Sequence, residues 1–231
     1  MKNIGIIGAM AEEIALIKEK MDIISSKEIV GLEFHMGKMH GKTVVLVCSG
    51  IGKVNAATCT QALIDMYGVD YIINVGVAGG LAAELDIGDV VISSDLVHHD
   101  MDCVGFGYEP GIIPRLETSF FVADAELVRI AKEACEAVTD KKAFVARIGS
   151  GDQFVSDSQA KARIWNTFEA YCVEMEGAAI AQTAFLNKIP FVVIRAISDK
   201  ANEEATVSFD KFVAMAAKNS SDTVEEIVKA I

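Results

Sequence analysis

Four carboxylic side chains occur in otherwise apolar segments of the sequence. Glu174 and Glu176 flank a methionine in VEMEGAAIA, Glu13 lies in GAMAEEIALI, and Asp199 follows the run FVVIRAIS. An ionised carboxylate is costly to bury, so such residues either lie at solvated element ends or line a pocket that needs them. In a pocket they would equip the protein for acid–base chemistry.

Glu13 lies near the start of a predicted helix. An apolar stripe recurs at helical spacing from Met10 to Met21. On an ideal helix Glu13 is about 60° from Met10, at the border of this stripe, whereas Glu12 is about 160° away and faces water. Glu13 is therefore a candidate site residue, although both glutamates could simply complement the helix dipole.

The two glutamates of VEME differ in direction. Because they are two residues apart, they point in roughly opposite directions in a strand or a helix, so at most one is expected to face a given pocket. Arg195 interrupts an apolar strand and needs a carboxylate partner there. Asp199, at the end of that strand, is as typical of a turn cap as of a catalytic acid. Three acidic residues at three strand ends would, however, meet at one rim of the sheet, where ligands bind in α/β proteins.

Six continuous β-branched runs indicate strands that are buried on both faces. They cover 3–8, 43–50, 71–76, 89–93, 143–149 and 190–198. Helical patterns cover 10–21, 53–67, 124–138, 157–168, 176–187 and 208–230. This alternation predicts one α/β domain over residues 1–231, with a central mixed sheet flanked by helices.

Two local features accompany these elements. Ser156 with Gln159 resembles a capping box at the start of the fourth helix. The stretch 94–122 contains two of the three prolines and several aromatic residues. We expect it to be a long loop with a functional or interface role.

Glycine and histidine clusters do not form recognisable cofactor sites. In VCSGIGKV, Val47 and Val54 stand where a P-loop requires Gly and Ser or Thr, and NVGVAGGL lacks the G-x-G-x-x-G pattern. The adjacent side chains of HHD at 98–100 cannot all point at one ion, so no metal site is predicted.

Composition narrows the class of partner. The 231 residues carry a net charge of −12 and are 52% hydrophobic. An excess of negative charge repels phosphate backbones and anionic lipid, so neither nucleic acid nor a membrane is an expected partner. No run has the length of a membrane span, and the N-terminus does not resemble a signal peptide. The five cysteines lack C-x-x-C spacing, which favours reduced thiols and a cytoplasmic location.

Nine segments in order carry a resemblance to a known family. They are GIIGAMAEE, SGIGKVNAA, INVGVAGGL, GDVVIS, HDMDCVGFGYE, SGDQFV, VEMEGAAIA, PFVVIRAISDKA and SFDKF. The sequence resembles the 5′-methylthioadenosine/S-adenosylhomocysteine nucleosidases of the nucleoside phosphorylase superfamily. The match runs nearly end to end, and nine ordered blocks are far more specific than any one of them.

The resemblance implies a single α/β domain that hydrolyses the adenine–ribose bond of 5′-thio-substituted adenosines, and of 5′-deoxyadenosine, without a cofactor. It makes Asp199 the acid at N7 of adenine, Glu13 the base that activates water with Arg195 nearby, and Glu176 the carboxylate that faces the ribose. It also implies a set of substrate-binding residues: Met10, Ala78, Gly79, Phe154, Val155, Met175, Ser198 and Phe209.

A second subunit is implied as well. In the family, a loop of the neighbouring chain closes the 5′-thio pocket, and here it would contribute Cys103, Phe106 and Pro114. The resemblance thus implies a homodimer and a role for the predicted long loop. Val77 stands where some members carry a small hydroxyl residue and Cys103 where an aliphatic one is usual, and both could alter substrate preference.

The chemistry itself requires these residue types. Adenine leaves well only when protonated, and only desolvation or a neighbouring negative charge keeps an aspartic acid, with an ordinary pKa near 3.9, protonated at neutral pH. Glu13 should instead stay ionised to take a proton from water. Water that attacks the face opposite the leaving adenine then inverts the anomeric carbon.

Three alternatives remain open from the sequence. A purine nucleoside phosphorylase on the same fold would need cations for phosphate, but the first loop, GAMAEEI, has two glutamates and no arginine. A nucleosidase for 6-amino-6-deoxyfutalosine would use the same adenine pocket. A binding protein that lost the chemistry would have no reason to retain Glu13, Glu176 and Asp199.

Overall fold

The computed structural model describes residues 2–202 and 204–231. Its strands are β1 (Asn3–Gly8), β2 (Asp22–Ile29), β3 (Leu32–Met39), β4 (Lys42–Cys48), β5 (Tyr71–Gly80), β6 (Val90–His98), β7 (Phe121–Val122), β8 (Ala143–Ser150), β9 (Cys172–Glu174) and β10 (Phe191–Asp199). Its helices are α1 (Ala11–Glu19), α2 (Lys53–Tyr67), α3 (Ala125–Val138), α4 (Ser158–Phe168), α5 (Gly177–Asn187) and α6 (Ala205–Ala230), with a 3₁₀ turn at Val104–Phe106.

The strands form one mixed sheet, which confirms the predicted fold class. β1 pairs in parallel with β4 and β5, and β5 pairs in parallel with β10. β10 also pairs with β6, and β6, β8 and β9 lead back to β5, so half of the sheet closes on itself. Because β1, β5 and β10 run in the same direction, the residues that follow Gly8, Gly80 and Asp199 all emerge at one rim.

Helices cover the sheet and create its core. One buried cluster includes Ile7, Val193 and Ile180, and a second includes Ile6, Ile73 and Ile227. The strands contribute to both clusters because their β-branched residues alternate between two covered faces. Over the part of the chain that the structure describes, no helix is long and apolar enough to cross a bilayer.

Sequence patterns do not predict four of the strands. β2 and β3 pair antiparallel at the edge of the sheet; β2 is exposed at nearly every position and β3 mixes charged and apolar residues, so neither shows a continuous apolar run. β7 and β9 have two and three residues and are too short for a periodic pattern. β6 continues to His98, so the predicted loop 94–122 begins later than expected.

The predicted cap of the fourth helix is also wrong. α4 begins at Ser158, and Asp157, not Ser156, accepts the N–H groups of Gln159 and Ala160. Aspartate caps a helix at least as well as serine does and adds a favourable charge at the positive end of the helix dipole.

Candidate active site

A cavity of about 370 Å³ opens at the rim where β1, β5 and β10 end. Glu13, Glu176 and Asp199 all line it, so the three acidic residues converge as the sequence predicted. Of the predicted substrate-binding residues, seven line the same cavity: Met10, Ala78, Gly79, Phe154, Met175, Ser198 and Phe209. Val155 lines a side cavity of about 30 Å³ that shares Phe154 and Asp199 with the main one.

Glu13 is held by the backbone on both sides of the cavity. Its Oε2 accepts the N–H groups of Ala9 at 2.7 Å and Met10 at 2.9 Å, and its Oε1 accepts the N–H of Val77 at 3.1 Å. Burial raises the pKa of Glu13, while the charge of Arg195 and the three N–H groups oppose that rise. A buried carboxylate with a raised pKa is a stronger base than an exposed one, provided that it is ionised.

A glycine in β5 makes room for this carboxylate. A Cβ added at Gly76 would lie 2.5 Å from Glu13 Oε1 and 3.0 Å from Arg195 Nη1. Such distances are far inside van der Waals contact, and both neighbours are themselves fixed by hydrogen bonds. Gly76 of NVGVAGGL therefore allows the Glu13 side chain to approach the sheet and is not part of a phosphate-binding loop.

Arg195 lies buried behind the cavity, where its carboxylate partner is Glu174. Its Nε and Nη2 donate to Glu174 Oε2 at 3.2 and 2.5 Å, and Nη2 also donates to Asn74 Oδ1 at 2.7 Å. The hydroxyl of Ser150 donates to the other carboxylate oxygen. Burial alone would raise the pKa of Glu174, but Arg195 and these hydrogen bonds outweigh it and lower the pKa. The pair is thus a buried and hydrogen-bonded ion pair.

Glu176 has far fewer partners. Its Oε1 accepts the N–H of Gly52 at 2.8 Å, and its Oε2 lies 3.9 Å from Arg195 Nη2. Burial, followed by the negative charge of Glu174, raises the pKa of Glu176 to about 7. The N–H of Gly52 at the start of α2 is therefore directed at a carboxylate that titrates near neutral pH.

The expectation that only one of these two glutamates faces the pocket is wrong. Glu174 and Glu176 both line the cavity. The chain leaves β9 at Glu174 and turns at Glu176, with φ −130° and ψ −39°, before α5 begins at Gly177. Neither strand nor helix spacing applies across such a turn, so both side chains face the same space.

Asp199 lines the cavity beside Gly79, three residues along β5 from Gly76, which adjoins Glu13. Its Oδ2 accepts the hydroxyl of Ser198 and its Oδ1 accepts the N–H of Ala201, each at 2.8 Å. Burial raises the pKa of Asp199 in spite of these donors. A Cβ at Gly79 would lie 2.9 Å from Asp199 Oδ1, so this side chain too requires a neighbouring glycine. Phe154 lies close by, edge-on to Phe209 at 6.1 Å between ring centroids.

The arrangement provides an acid and a base in one cavity. Asp199 is raised in pKa and has one hydroxyl and one N–H as donors, whereas Glu13 has three N–H donors and a nearby cation. Among the residues 2–202 and 204–231, no group of three or more His, Cys, Asp or Glu side chains could hold a metal ion. His98 of the HHD segment instead forms a hydrogen bond with Gln182 at 2.9 Å.

Comparison with known proteins assigns the family. The model of the phosphorylase superfamily matches residues 3–229. A 5′-methylthioadenosine/S-adenosylhomocysteine nucleosidase of Marinomonas sp. is 45% identical over 99% of both chains. The chain belongs to this nucleosidase family of the phosphorylase superfamily.

Solved structures agree with this nucleosidase assignment. The nucleosidase of Neisseria meningitidis, solved in complex with methylthio-immucillin-A, has a TM-score of 0.96 at 44% identity and covers both chains in full. A futalosine hydrolase of Helicobacter pylori shares the fold as well, with a TM-score of 0.95 at 35% identity over 100% of this chain and 98% of its own.

The loop residues that the resemblance assigned to the pocket of a second subunit lie away from the cavity in this chain. Cys103, Phe106 and Pro114 do not line the cavity of their own subunit, and the side chain of Phe106 is 85% exposed. Their placement leaves them available to another molecule, and the closing of a neighbour's pocket stays a prediction.

Sequence patterns do not reveal every site residue of this nucleosidase. They give Glu174 no role of its own, and they do not single out Asn74, Ser150 or Gly52. The need of Arg195 for a carboxylate is the available signal, but it does not indicate which acid meets that need. Asn74 and Ser150 leave no signal, because their importance depends on which strands are neighbours.

Proposed function

We propose that this chain hydrolyses the N-glycosidic bond of 5′-methylthioadenosine and S-adenosylhomocysteine, and also that of 5′-deoxyadenosine, releasing adenine and the corresponding ribose. This activity belongs to methionine salvage and the recycling of the methyl cycle. The observation that carries the proposal is the convergence of Glu13, Glu176 and Asp199 on one cavity. The family assignment and the nucleosidase names of its relatives support it.

Asp199 is proposed as the general acid. Its raised pKa favours the protonated carboxyl, which can donate to N7 of adenine and convert it into a neutral leaving group. Phe154, which lines the same cavity, would provide an aromatic face for the purine, and the backbone at Val155, in the adjoining side cavity, would read the purine edge.

Glu13 is proposed as the base. The N–H groups of Ala9, Met10 and Val77 fix the direction of its carboxylate, and the positive charge of Arg195 favours the ionised form. A water molecule held by this carboxylate would attack the anomeric carbon from the face opposite adenine. Inversion at that carbon follows.

Glu176 is proposed to face the ribose. As a carboxylate it can accept hydrogen bonds from the sugar hydroxyls and stabilise the positive charge that develops on the ribose. Met175 would lie along the sugar. Met10 and Phe209, which also line the cavity, form an apolar wall suited to a 5′-thio substituent.

We further propose a homodimer in which the loop of one subunit closes the site of the other. The exposure of Val104, Phe106 and Tyr108 in this loop supports the arrangement, because neighbouring exposed apolar side chains form a patch suited to a partner. A cytoplasmic location is supported by the five free cysteines.

Phosphorolysis is less favoured by the charges at the site. The guanidinium of Arg195 is buried and already paired with Glu174 and Asn74, so it is not available to bind phosphate. Hydrolysis needs only a carboxylate that holds water, and Glu13 would supply it.

The test is release of free adenine from each thio-nucleoside, with and without added phosphate. We expect equal rates in both conditions and formation of the 5′-thio-ribose. Strict dependence on phosphate would identify a phosphorylase, and absence of adenine from every substrate would identify a protein that only binds.

The futalosine hydrolase of H. pylori gives a second candidate a specific basis, because its structure covers the whole chain at 35% identity. Turnover of 6-amino-6-deoxyfutalosine should therefore be measured in parallel. A kcat/KM for that compound above the values for both thio-nucleosides would reassign the substrate but not the chemistry.

A further inference from the structure

A lysine outside the cavity joins the two strand ends that carry the purine side of the site. Lys161 lies on α4, and its Nζ donates to the carbonyl oxygens of Gly80 at 2.9 Å and Lys200 at 2.6 Å. Gly80 is the last residue of β5, and Lys200 directly follows Asp199 at the end of β10. One ammonium group thus ties together the ends of β5 and β10.

The peptide between Lys200 and Ala201 links this lysine to the acid. The carbonyl that accepts from Lys161 and the N–H of Ala201 belong to one planar peptide unit. That N–H donates to Asp199 Oδ1 at 2.8 Å. A cation on the carbonyl oxygen therefore fixes the plane of this peptide and polarises its N–H toward the carboxyl group.

The backbone at this point needs external support. Ala201 has φ +50°, in the left-handed region that is unfavourable for a residue with a Cβ. Its side chain is completely buried, and a Cβ at Gly79 would lie only 3.0 Å from the Cβ of Ala201. Such a conformation persists only where its surroundings hold it, and the bond from Lys161 is one of these restraints.

Lys161 also contributes charge at Asp199. Burial raises the pKa of Asp199, and the positive charge of Lys161 acts in the opposite direction. The ammonium of Lys200 itself lies 3.6 Å from Asp86. The other charged groups that face the cavity from the elements around Asp199 are Glu13 from α1, Glu174 from β9 and Glu176 before α5. Arg195 of β10 lies behind the cavity and pairs with Glu174.

We propose that Lys161 is a positioning residue for the catalytic acid: it holds the Lys200–Ala201 peptide in the orientation that presents Asp199 to the purine. The proposal rests on the acid role of Asp199 in the proposed function. It assigns Lys161 no contact with the substrate.

The experiment compares Lys161→Met, Lys161→Gln and Lys161→Arg with the wild type and with Lys132→Met, a control on the exposed face of α3. Hydrogen exchange of the Ala201 amide, followed by NMR, reports on the peptide without any substrate. We expect exchange at least about tenfold faster in Lys161→Met, because the restraint on that peptide is lost. Lys161→Arg and Lys132→Met should match the wild type.

The second measurement is the pH profile of kcat and kcat/KM with methylthioadenosine. In Lys161→Met, the alkaline limb should move about half to one pH unit higher, because Asp199 loses a nearby positive charge and a polarised donor. The kcat at the optimum should fall about tenfold with little change in KM, since the acid is less well placed. Lys161→Arg should restore both properties.

The outcomes separate this proposal from the proposed function. If Lys161→Met shows wild-type exchange at Ala201 and an unshifted pH profile, Lys161 has no positioning role, even where kcat is lower. If Lys161→Met fails to fold, Lys161→Gln decides between the outcomes. The glutamine amide is a neutral donor, so exchange of the Ala201 amide should stay slow while the alkaline limb of the pH profile still moves. A wild-type protein that releases no adenine would defeat the proposed function, and the exchange measurement would still test the restraint.

Discussion

The two ends of the cavity treat their carboxyl groups differently. At the water end, defined by Glu13, Glu174 and Arg195, the two carboxylates accept backbone N–H groups and lie near a buried guanidinium. At the purine end, defined by Asp199 and Phe154, the carboxyl group accepts one hydroxyl and one N–H beside an aromatic ring.

Burial raises the pKa at both ends, so burial alone does not distinguish the acid from the base. The number of donors and the position of the cation do so, because they stabilise the ionised form at the water end. The same kind of group can therefore have opposite roles a short distance apart. Single substitutions can remove the acid, the base and the buried ion pair one at a time.

The largest effect is expected from Asp199→Asn. An amide has the shape of the carboxyl group but cannot transfer a proton, so kcat should fall by about 10⁴ while ligand binding and folding are retained. Single-turnover rates and binding of adenine check the two parts. A loss of only a few-fold would remove Asp199 from the acid role.

Glu13→Gln should be nearly as damaging. The amide cannot take a proton from water, and its NH₂ would face at least one of the N–H groups that now donate to the carboxylate. We expect kcat to fall by about 10³. The exposed neighbour provides a matched control, and Glu12→Gln should retain activity. Near-native rates in Glu13→Gln would reassign the base.

Glu174→Gln tests the ion pair behind the water end. Its removal would leave the buried guanidinium of Arg195 with only the more distant Glu176 as an ion-pair partner, at 3.9 Å. Breaking a buried pair typically costs about 3–5 kcal/mol of stability. Denaturant unfolding at fixed protein concentration measures the loss. Glu126→Gln, which breaks an exposed pair with Arg129 on α3, should change stability little. Equal stabilities of the two variants would contradict the importance of the buried pair.

Long apolar patterns predict their elements and the residues that follow them. The strands around 3–8 and 190–198 are continuous β-branched runs, so the sequence alone places Glu13 and Asp199 at one rim of the sheet. This placement requires only that the strands preceding the two residues run in the same direction.

The partner of Arg195 could not be predicted in this way. Glu174 reaches it because the three-residue strand β9 pairs antiparallel with β5 and parallel with β8, which also brings Ser150 to the same carboxylate. A strand this short leaves no periodic signal. Contacts such as that of Lys161 with Lys200 depend on backbone carbonyls, which the sequence does not specify at all.

The smallest expected effect is on the pH dependence of stability, which should differ between variants of Glu174 and Glu176. The pKa of Glu176 rises from 4.5 to about 7 on folding. Between these values the folded state holds a proton that the unfolded state has lost, so stability falls as pH increases through this window. Glu176→Gln removes this dependence.

We therefore expect Glu176→Gln to gain stability relative to the wild type between pH 5 and pH 8, by up to about 3 kcal/mol. Glu174→Gln should show a smaller gain, because it removes only the negative charge of Glu174 and leaves the burial that mainly raises the pKa of Glu176. The pKa of Glu174 itself is lowered, so its own contribution, present above 4.5, is lost only as pH falls below that value. Denaturant unfolding of both variants at the two pH values measures the contrast. A difference in stability between Glu176→Gln and the wild type that stays constant with pH would mean that folded Glu176 is ionised across the window. Glu176 would then resemble the carboxylates of the water end, whose ionised form is stabilised.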